Sequence, residues 1–378
     1  MGISITLFDN MVRTDQRPAR QNETLFDYLT ASGRRPAACI RELLEVWFRR
    51  FSELAKQDLR NRFRSSINAQ HLGAVFELYL HELLCSTGFT VRVHPDLLGD
   101  RKTRLDFLVL KGSQPCFYLE ATLAGPSRDK VAENARIDQV YKTLNHMQSP
   151  NFFLAIRLRG APATAPSGKR LSRELEQWLS GLDPDELEHR LTSQGIGSLP
   201  SFLWSHDGWD LHFIPIPKPA AVRGSPGVRP IGVTMPEMQR ICHPSIRKAV
   251  AAKATKYGGL DLPFVVSVNV IDIFMQNTDI LRYQARNELR GAWFGPTGPQ
   301  NKGMSAALIA VGLDPWTIGN RTPIMIHHPW ATHPFPPDQW PLPQWIPDLH
   351  EGSIVERPGK SVAEVLSLPN SWPPPDAL

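Results

Sequence analysis

The chain has 378 residues, 42% hydrophobic and 21% charged, with 42 Lys+Arg against 37 Asp+Glu and a formal charge of +5. Such a composition supports a sizeable core and excludes a chain disordered throughout, and no apolar run reaches the roughly 18–20 residues of a membrane span. The mild positive charge is compatible with a polyanionic partner but does not select one.

The N-terminal MGISITLFDNMVRTDQ has no basic stretch leading into an apolar core, so it is not read as a signal peptide. Thr6 makes only a weak myristoylation match. Cys39, Cys85, Cys116 and Cys242 lie far apart with no CxxC, which argues against a disulfide scaffold or a cysteine zinc site and fits a reducing cytoplasm. Residues 1–35 read as a polar arm with a short helical piece. From Pro36 the apolar positions Ile40, Leu43, Leu44, Trp47, Phe48, Phe51 and Leu54 recur at helical steps. Arg49, Arg50, Lys56, Arg60, Arg62 and Arg64 alternate with that stripe, as a solvated face or a phosphate-facing one. A second helix spans Asn68 to Ser86 and stops at Gly88.

Period two then predicts strands at Phe89–Val93, Arg104–Leu110 and Cys116–Leu123, the last two joined by the five-residue loop Lys-Gly-Ser-Gln-Pro (111–115). A helix from Ser127 or Asp129 to Met147 and a strand at Phe152–Leu158 follow. The order describes an α/β domain with a mixed sheet. Beyond a loop at 160–169 come short helices at Leu171–Leu182 and Pro184–Thr192, the second capped by Asp183. A strand at Trp209–Pro215 and a helix at His243–Tyr257 come next. Further strands are read at Phe264–Ile273, Ser305–Val311 and Pro323–His327, with a helix at Asp279–Arg290. From Pro329 proline and tryptophan dominate, which reads as an extended wrap or a loose tail.

Three carboxylates stand out. Glu77 sits on a mainly apolar helix stripe with Gly73, Ala74, Leu80, His81 and Leu84, where an ionised group is costly unless compensated. Asp106 and Glu120 each read as mid-strand. With the loop centred on Ser113, Leu110 opposes Cys116, Leu108 opposes Tyr118, and Asp106 opposes Glu120. Opposed side chains have Cβ atoms about 4.5–5.5 Å apart, so the two charges repel. A divalent ion such as Mg²⁺ would hold them together. The alternative is relief by Arg104 or by a raised pKa.

A helix bearing Glu77, then Asp106 on one strand and Glu120-Ala121-Thr122 on the next, resembles the PD-(D/E)xK nuclease superfamily. The resemblance implies a restriction-endonuclease-like mixed β-sheet flanked by helices, with N-terminal helical and C-terminal Pro/Trp-rich extensions. It also implies that Glu77, Asp106 and Glu120 gather Mg²⁺ (or Mn²⁺) for phosphodiester cleavage, with DNA as the expected partner, in a cytoplasmic and often defensive role. Two positions depart from the pattern. Leu105 precedes Asp106 in place of proline, and Thr122 stands at the lysine position. The missing ammonium is expected from the following helix, at Lys142 or Lys130. If neither supplies it, the chain is a degenerate nuclease fold that binds nucleic acid or a protein partner, the latter through the C-terminal extension. The expected layout is an N-terminal region (1–67), a catalytic core (68–160), an elaborated remainder (161–328) and the extension (329–378).

Other motifs are weaker. His327, His328 and His333 are read mainly as polar residues in a proline-rich loop, with metal binding as the alternative. The glycine-rich stretch 295–303 lacks Walker spacing. Lys248, Lys253 and Lys256 recur at helical spacing, as a solvated face or a phosphate-contacting one.

Overall fold

The computed structural model describes residues 5–20, 23–95, 104–125, 128–160, 162–224, 231–236, 244–257, 259–271, 286, 289–351 and 353–375. The chain divides into two compact units: Met1–Ala19, Glu23–Pro126 and His243–Leu378 form the first, and Arg20–Asn22 with Ser127–Cys242 the second. Among the described residues no helix is long and apolar enough to cross a membrane.

The first unit begins with four helices, α1 (Leu25–Ala31), α2 (Arg35–Arg50), α3 (Glu53–Phe63) and α4 (Asn68–Ser86). The apolar stripe read through Leu54 ends at Phe51, whose N–H closes the last turn of α2 on the Trp47 and Phe48 carbonyls. Helix then restarts at Glu53, which leaves Leu54 99% exposed. α4 is buried almost all round from His71 to Leu84, as befits a helix apolar on most faces. Gly88 follows it at φ +87°, a backbone state that glycine adopts without strain. Of the basic set flanking these helices, Arg49 is exposed as a solvated face would be, Arg60 Nε donates to the Thr6 carbonyl at 2.6 Å, and the other four meet carboxylates. Arg50 pairs with Glu82, Lys56 with Glu53, Arg62 with Asp58 and Glu77, and Arg64 with Asp9.

Beyond α4 run β1 (Thr90–Val93), β2 (Phe107–Lys111) and β3 (Gln114–Ala124), an antiparallel meander. The link between β2 and β3 is a two-residue turn at Gly112-Ser113, with Gly112 at φ +63°, rather than the five-residue loop read from the sequence. A register shift between Val109 and Leu110 compensates: Leu110 faces Pro115, not Cys116, yet Leu108 faces Tyr118 as expected.

The second unit is inserted after β3. Its chain runs α5 (Arg128–His146), β4 (Phe152–Gly160), α6 (Gly168–Ser180), α7 (Pro184–Gln194), β5 (Phe202–His206), β6 (Trp209–Pro217) and β7 (Ile231–Pro236). The strands form their own sheet in the order β5-β6-β4-β7. One core joins Val140, Leu144, Leu154, Ile156, Leu171, Leu175, Trp209 and Phe213. The break in the chain therefore falls near residue 126, not 160. α5 and β4, which the sequence reading gives to the catalytic core, belong to this second unit, because the apolar residues of α5 share one core with those of β4, β6 and α6.

The chain returns to the first unit with α8 (Pro244–Ala254) and β8 (Phe264–Val270), and then β9 (Phe294–Gly295) and β10 (Gly298–Pro299), a small hairpin in the glycine-rich stretch. β11 (Ala306–Val311), β12 (Ile324–His327), β13 (Gln344–Asp348), β14 (Ser353–Arg357) and α9 (Val362–Leu366) complete it. Most of the helix read at 279–290 lies outside the described residues. The result is a mixed α/β unit with an eight-stranded sheet in the order β1-β2-β3-β8-β11-β12-β13-β14. β3, β8 and β11 run parallel at its centre, and β8 and β11 are buried along their whole length. One core lies between the sheet and helices α1–α4, and a second on the face carrying α8.

The proline-rich C-terminus is no loose tail: it wraps the first unit in part, and it also supplies the last two strands, which the sequence reading did not expect. Only Gln344 and Trp345 of β13 pair with β12, so Pro347, which has no N–H to give, lies beyond that ladder. Phe335, Trp340, Leu342 and Trp372 are buried in the α1–α4 core, and the Phe335 ring meets Phe117 edge-on at 5.0 Å. Trp372 covers Gly319 and donates its indole N–H to the Pro315 carbonyl at 3.1 Å. Trp372→Ala is accordingly expected to destabilise the protein by about 3–5 kcal/mol in urea unfolding. A loose tail would show no change.

Candidate active site

Asp106 lies one residue before β2 rather than mid-strand, and the register carried one step past Phe107↔Leu119 sets it against Glu120. Each acid accepts a backbone N–H from the other's strand segment. The Asp106 N–H donates to Glu120 Oε2 at 3.2 Å, and the Ala121 N–H donates to Asp106 Oδ2 at 2.7 Å. Along β3, Phe117 and Leu119 enter the α1–α4 core while Tyr118 and Ala124 pack on the α8 side, so alternation turns Glu120 toward α8.

There the compensating charge is found. Lys253 Nζ donates to Glu120 Oε1 at 2.6 Å and Lys256 Nζ to the same oxygen at 3.2 Å, while Glu120 is only 1% exposed. Two cations, each held near the end of α8, thus answer one buried carboxylate. The sequence reading sought this ammonium at Lys142 or Lys130. Lys142 is exposed on α5 in the second unit, and the Lys130 side chain lies outside the described residues. Nor does Arg104 relieve the acid pair: its side chain is exposed and forms no ion pair with either acid among the described residues, while its carbonyl accepts the Tyr257 hydroxyl at 3.0 Å. Burial, followed by the Glu120 carboxylate, pushes that hydroxyl well above its ordinary range. Thr122, at the usual lysine position, is half-buried on β3 opposite Val268.

Asp106 carries the cost of the arrangement. Burial first, then the fields of Glu120 and Glu77, push its carboxyl from 3.8 to about 7 against the pull of the Ala121 N–H and Lys253. Glu77 approaches from the α4 side and is 4% exposed. Its Oε2 accepts Arg62 Nη2 at 2.7 Å, and its Oε1 is buried without a hydrogen-bond partner among the described residues. Burial raises its carboxyl above the usual range, and Arg62 opposes that shift.

The three acids therefore converge in their fields more than in their oxygens. Among the described residues no group of three or more His, Cys, Asp or Glu side chains is gathered closely enough to hold a metal ion as it stands. Glu77 is drawn to Arg62 and Glu120 to the α8 lysines. The donor chemistry still fits a hard divalent cation: every donor is a carboxylate oxygen, Asp106 is destabilised as an anion, and Glu77 Oε1 lacks a partner.

Two rings of the histidine cluster are buried and held by protein partners. His327 Nε2 shares a hydrogen with Gln344 Oε1 at 2.8 Å, and His328 Nε2 with the Gln300 carbonyl at 2.9 Å. The carbonyl of His333 accepts the Ser305 hydroxyl. Comparison of the chain with protein-family models, with curated proteins and with solved structures gives no match.

Proposed function

We propose that this chain is a divalent-metal-dependent nuclease of the restriction-endonuclease-like class, hydrolysing phosphodiester bonds in DNA. The observation that carries the reading is the pairing of Glu120, set beside Asp106, with Lys253 from a distant helix. An acid pair joined by a lysine is the set that such hydrolysis uses, and the lysine absent at Thr122 is supplied from α8. Asp106 and Glu120 would hold Mg²⁺ or Mn²⁺, with Glu77 Oε1 as a further donor from the α4 side. A bound ion at this place supplies an acidified water and offsets charge on the phosphate. Lys253 fixes the rotamer of Glu120 through Oε1 and presents a positive charge where negative charge grows during cleavage. Arg247 and Lys248, exposed on the same helix, offer contacts to the phosphate backbone.

Single- and double-stranded DNA and RNA incubated with Mg²⁺ or Mn²⁺ test the reading. The wild type should cut DNA only with the ion present, and Asp106→Ala should be inert while retaining a native circular-dichroism spectrum. A wild type inert on every substrate would reject the reading. A second reading, a binding protein without cleavage, is favoured by one observation: arginine and lysine already compensate Glu77 and Glu120. Calorimetric titration with Mn²⁺ separates the two, since only the nuclease requires binding.

A further inference from the structure

Arg62 is the basic residue of the N-terminal helices whose partner belongs to the candidate site. Its Nε donates to Asp58 Oδ2 at 2.9 Å, one turn back on α3, and its Nη2 meets Glu77 Oε2 at 2.7 Å. Asp58 is exposed and Glu77 is buried. The guanidinium thus spans from solvent to the interior with its fork fixed at both ends, which the single ammonium of a lysine cannot reproduce. The remaining Glu77 oxygen, Oε1, is a buried acceptor that accepts from no described group. Buried polar atoms of this kind are rare in folded proteins, and each calls for a partner.

A second pair on α4 has the same local form. Glu82, 3% exposed, is held by Arg50 through Oε1, and its Oε2 is likewise buried without a partner among the described residues. Glu77, however, lies within the field of Asp106 and Glu120, whereas Glu82 responds only to burial and Arg50. The two pairs share a helix and a chemistry and differ in what lies beside them.

We infer that Arg62 is a positioning residue of the candidate site: anchored by Asp58, it fixes Glu77 through Oε2 and leaves Oε1 as a buried oxygen donor for the divalent ion. The inference rests on the metal-dependent reading proposed above. It makes Arg62 an outer partner that tunes a ligand, a class whose loss costs roughly 10–100-fold in metal affinity.

Mn²⁺ titration of the whole protein, followed by calorimetry and by the electron paramagnetic resonance signal of free Mn²⁺, tests it at one pH. Arg62→Met should weaken Mn²⁺ binding by about tenfold or more, and Arg62→Lys should restore part of the loss. Asp58→Asn, an exposed change that leaves the core intact, should weaken it by about threefold by loosening the fork, so the inference is tested even if Arg62→Met does not fold. Arg50→Met should leave Mn²⁺ affinity unchanged. Wild-type affinity or tighter binding in Arg62→Met, or in Asp58→Asn if the former does not fold, would overturn the inference and leave the nuclease reading standing. An equal loss in Arg50→Met would also overturn it, as the mark of a merely structural role. A wild type that binds no Mn²⁺ would overturn both.

Discussion

Asp106→Asn protein is expected to melt at a higher temperature than the wild type at pH 8 and to cleave nothing. The Asp106 carboxyl ordinarily titrates at 3.8 and is pushed up to about 7 by burial and by its acidic neighbours. The folded state therefore holds that proton more tightly than the unfolded chain does. Its stabilising effect is complete below pH 4 and is lost as the pH rises through about 7, at a cost of up to about 4 kcal/mol. Asparagine keeps an acceptor for the Ala121 N–H, gives Glu120 a donor, and has no charge to desolvate. Melting temperatures from pH 4 to pH 9 check the point: the two proteins should diverge as pH rises and converge at the acid end. Equal curves would mean that the site carries no such strain. The same substitution removes a carboxylate from the proposed metal site, so cleavage at the wild-type rate would remove Asp106 from that role.

Lys253→Met is expected to lower cleavage by about 10²–10³-fold, the range lost with one preorganised group that stabilises growing charge. Glu120 Oε1 would keep only the longer lysine contact, from Lys256, while Oε2 still accepts the Asp106 N–H, so a stability loss of about 1–3 kcal/mol is expected as well. Lys256→Met should cost less in both measurements, because Lys253 makes the shorter bond to the fully buried oxygen. Single-turnover rates and urea midpoints for the two variants give the order. If Lys256→Met proves the more damaging, the assignment between the lysines is reversed. If neither changes cleavage, the α8 ammonium is structural only.

Part of this site was legible in the sequence, for identifiable reasons. The α4 period and its stop at Gly88 depend on neighbours within a few residues, and the helix lies where the pattern put it. The opposition of Asp106 and Glu120 was recoverable although the turn was misread, since the two-residue turn and the register shift cancel over the length of the hairpin. The lysines were visible only as a periodic set. Their partner lies 133 and 136 residues earlier in the chain, and no local spacing encodes a contact made across an inserted unit. The basic residues before α4 failed likewise, because which carboxylate each arginine meets depends on how α2 and α3 pack on α4. Proline density misled at the C-terminus. A strand can carry Pro347 where the adjoining ladder has already ended, and composition does not show where a ladder ends. The boundary near residue 126 was missed because the helix and strand that follow look the same whichever sheet they join.

The insertion has a consequence for how the chain assembles. β3 and β8 are adjacent and parallel, yet residues 127 to 242 must be synthesised between them. As the polypeptide emerges from the ribosome, α4 and the first three strands are complete well before the neighbour that seals β3 exists. During that interval β3 is an open strand edge, with Glu120 awaiting its lysines, and the growing chain is most exposed to mispairing with other molecules. The parallel centre of the sheet is then expected to set the pace of folding, since β3 with β8 closes the longest loop of any strand pairing.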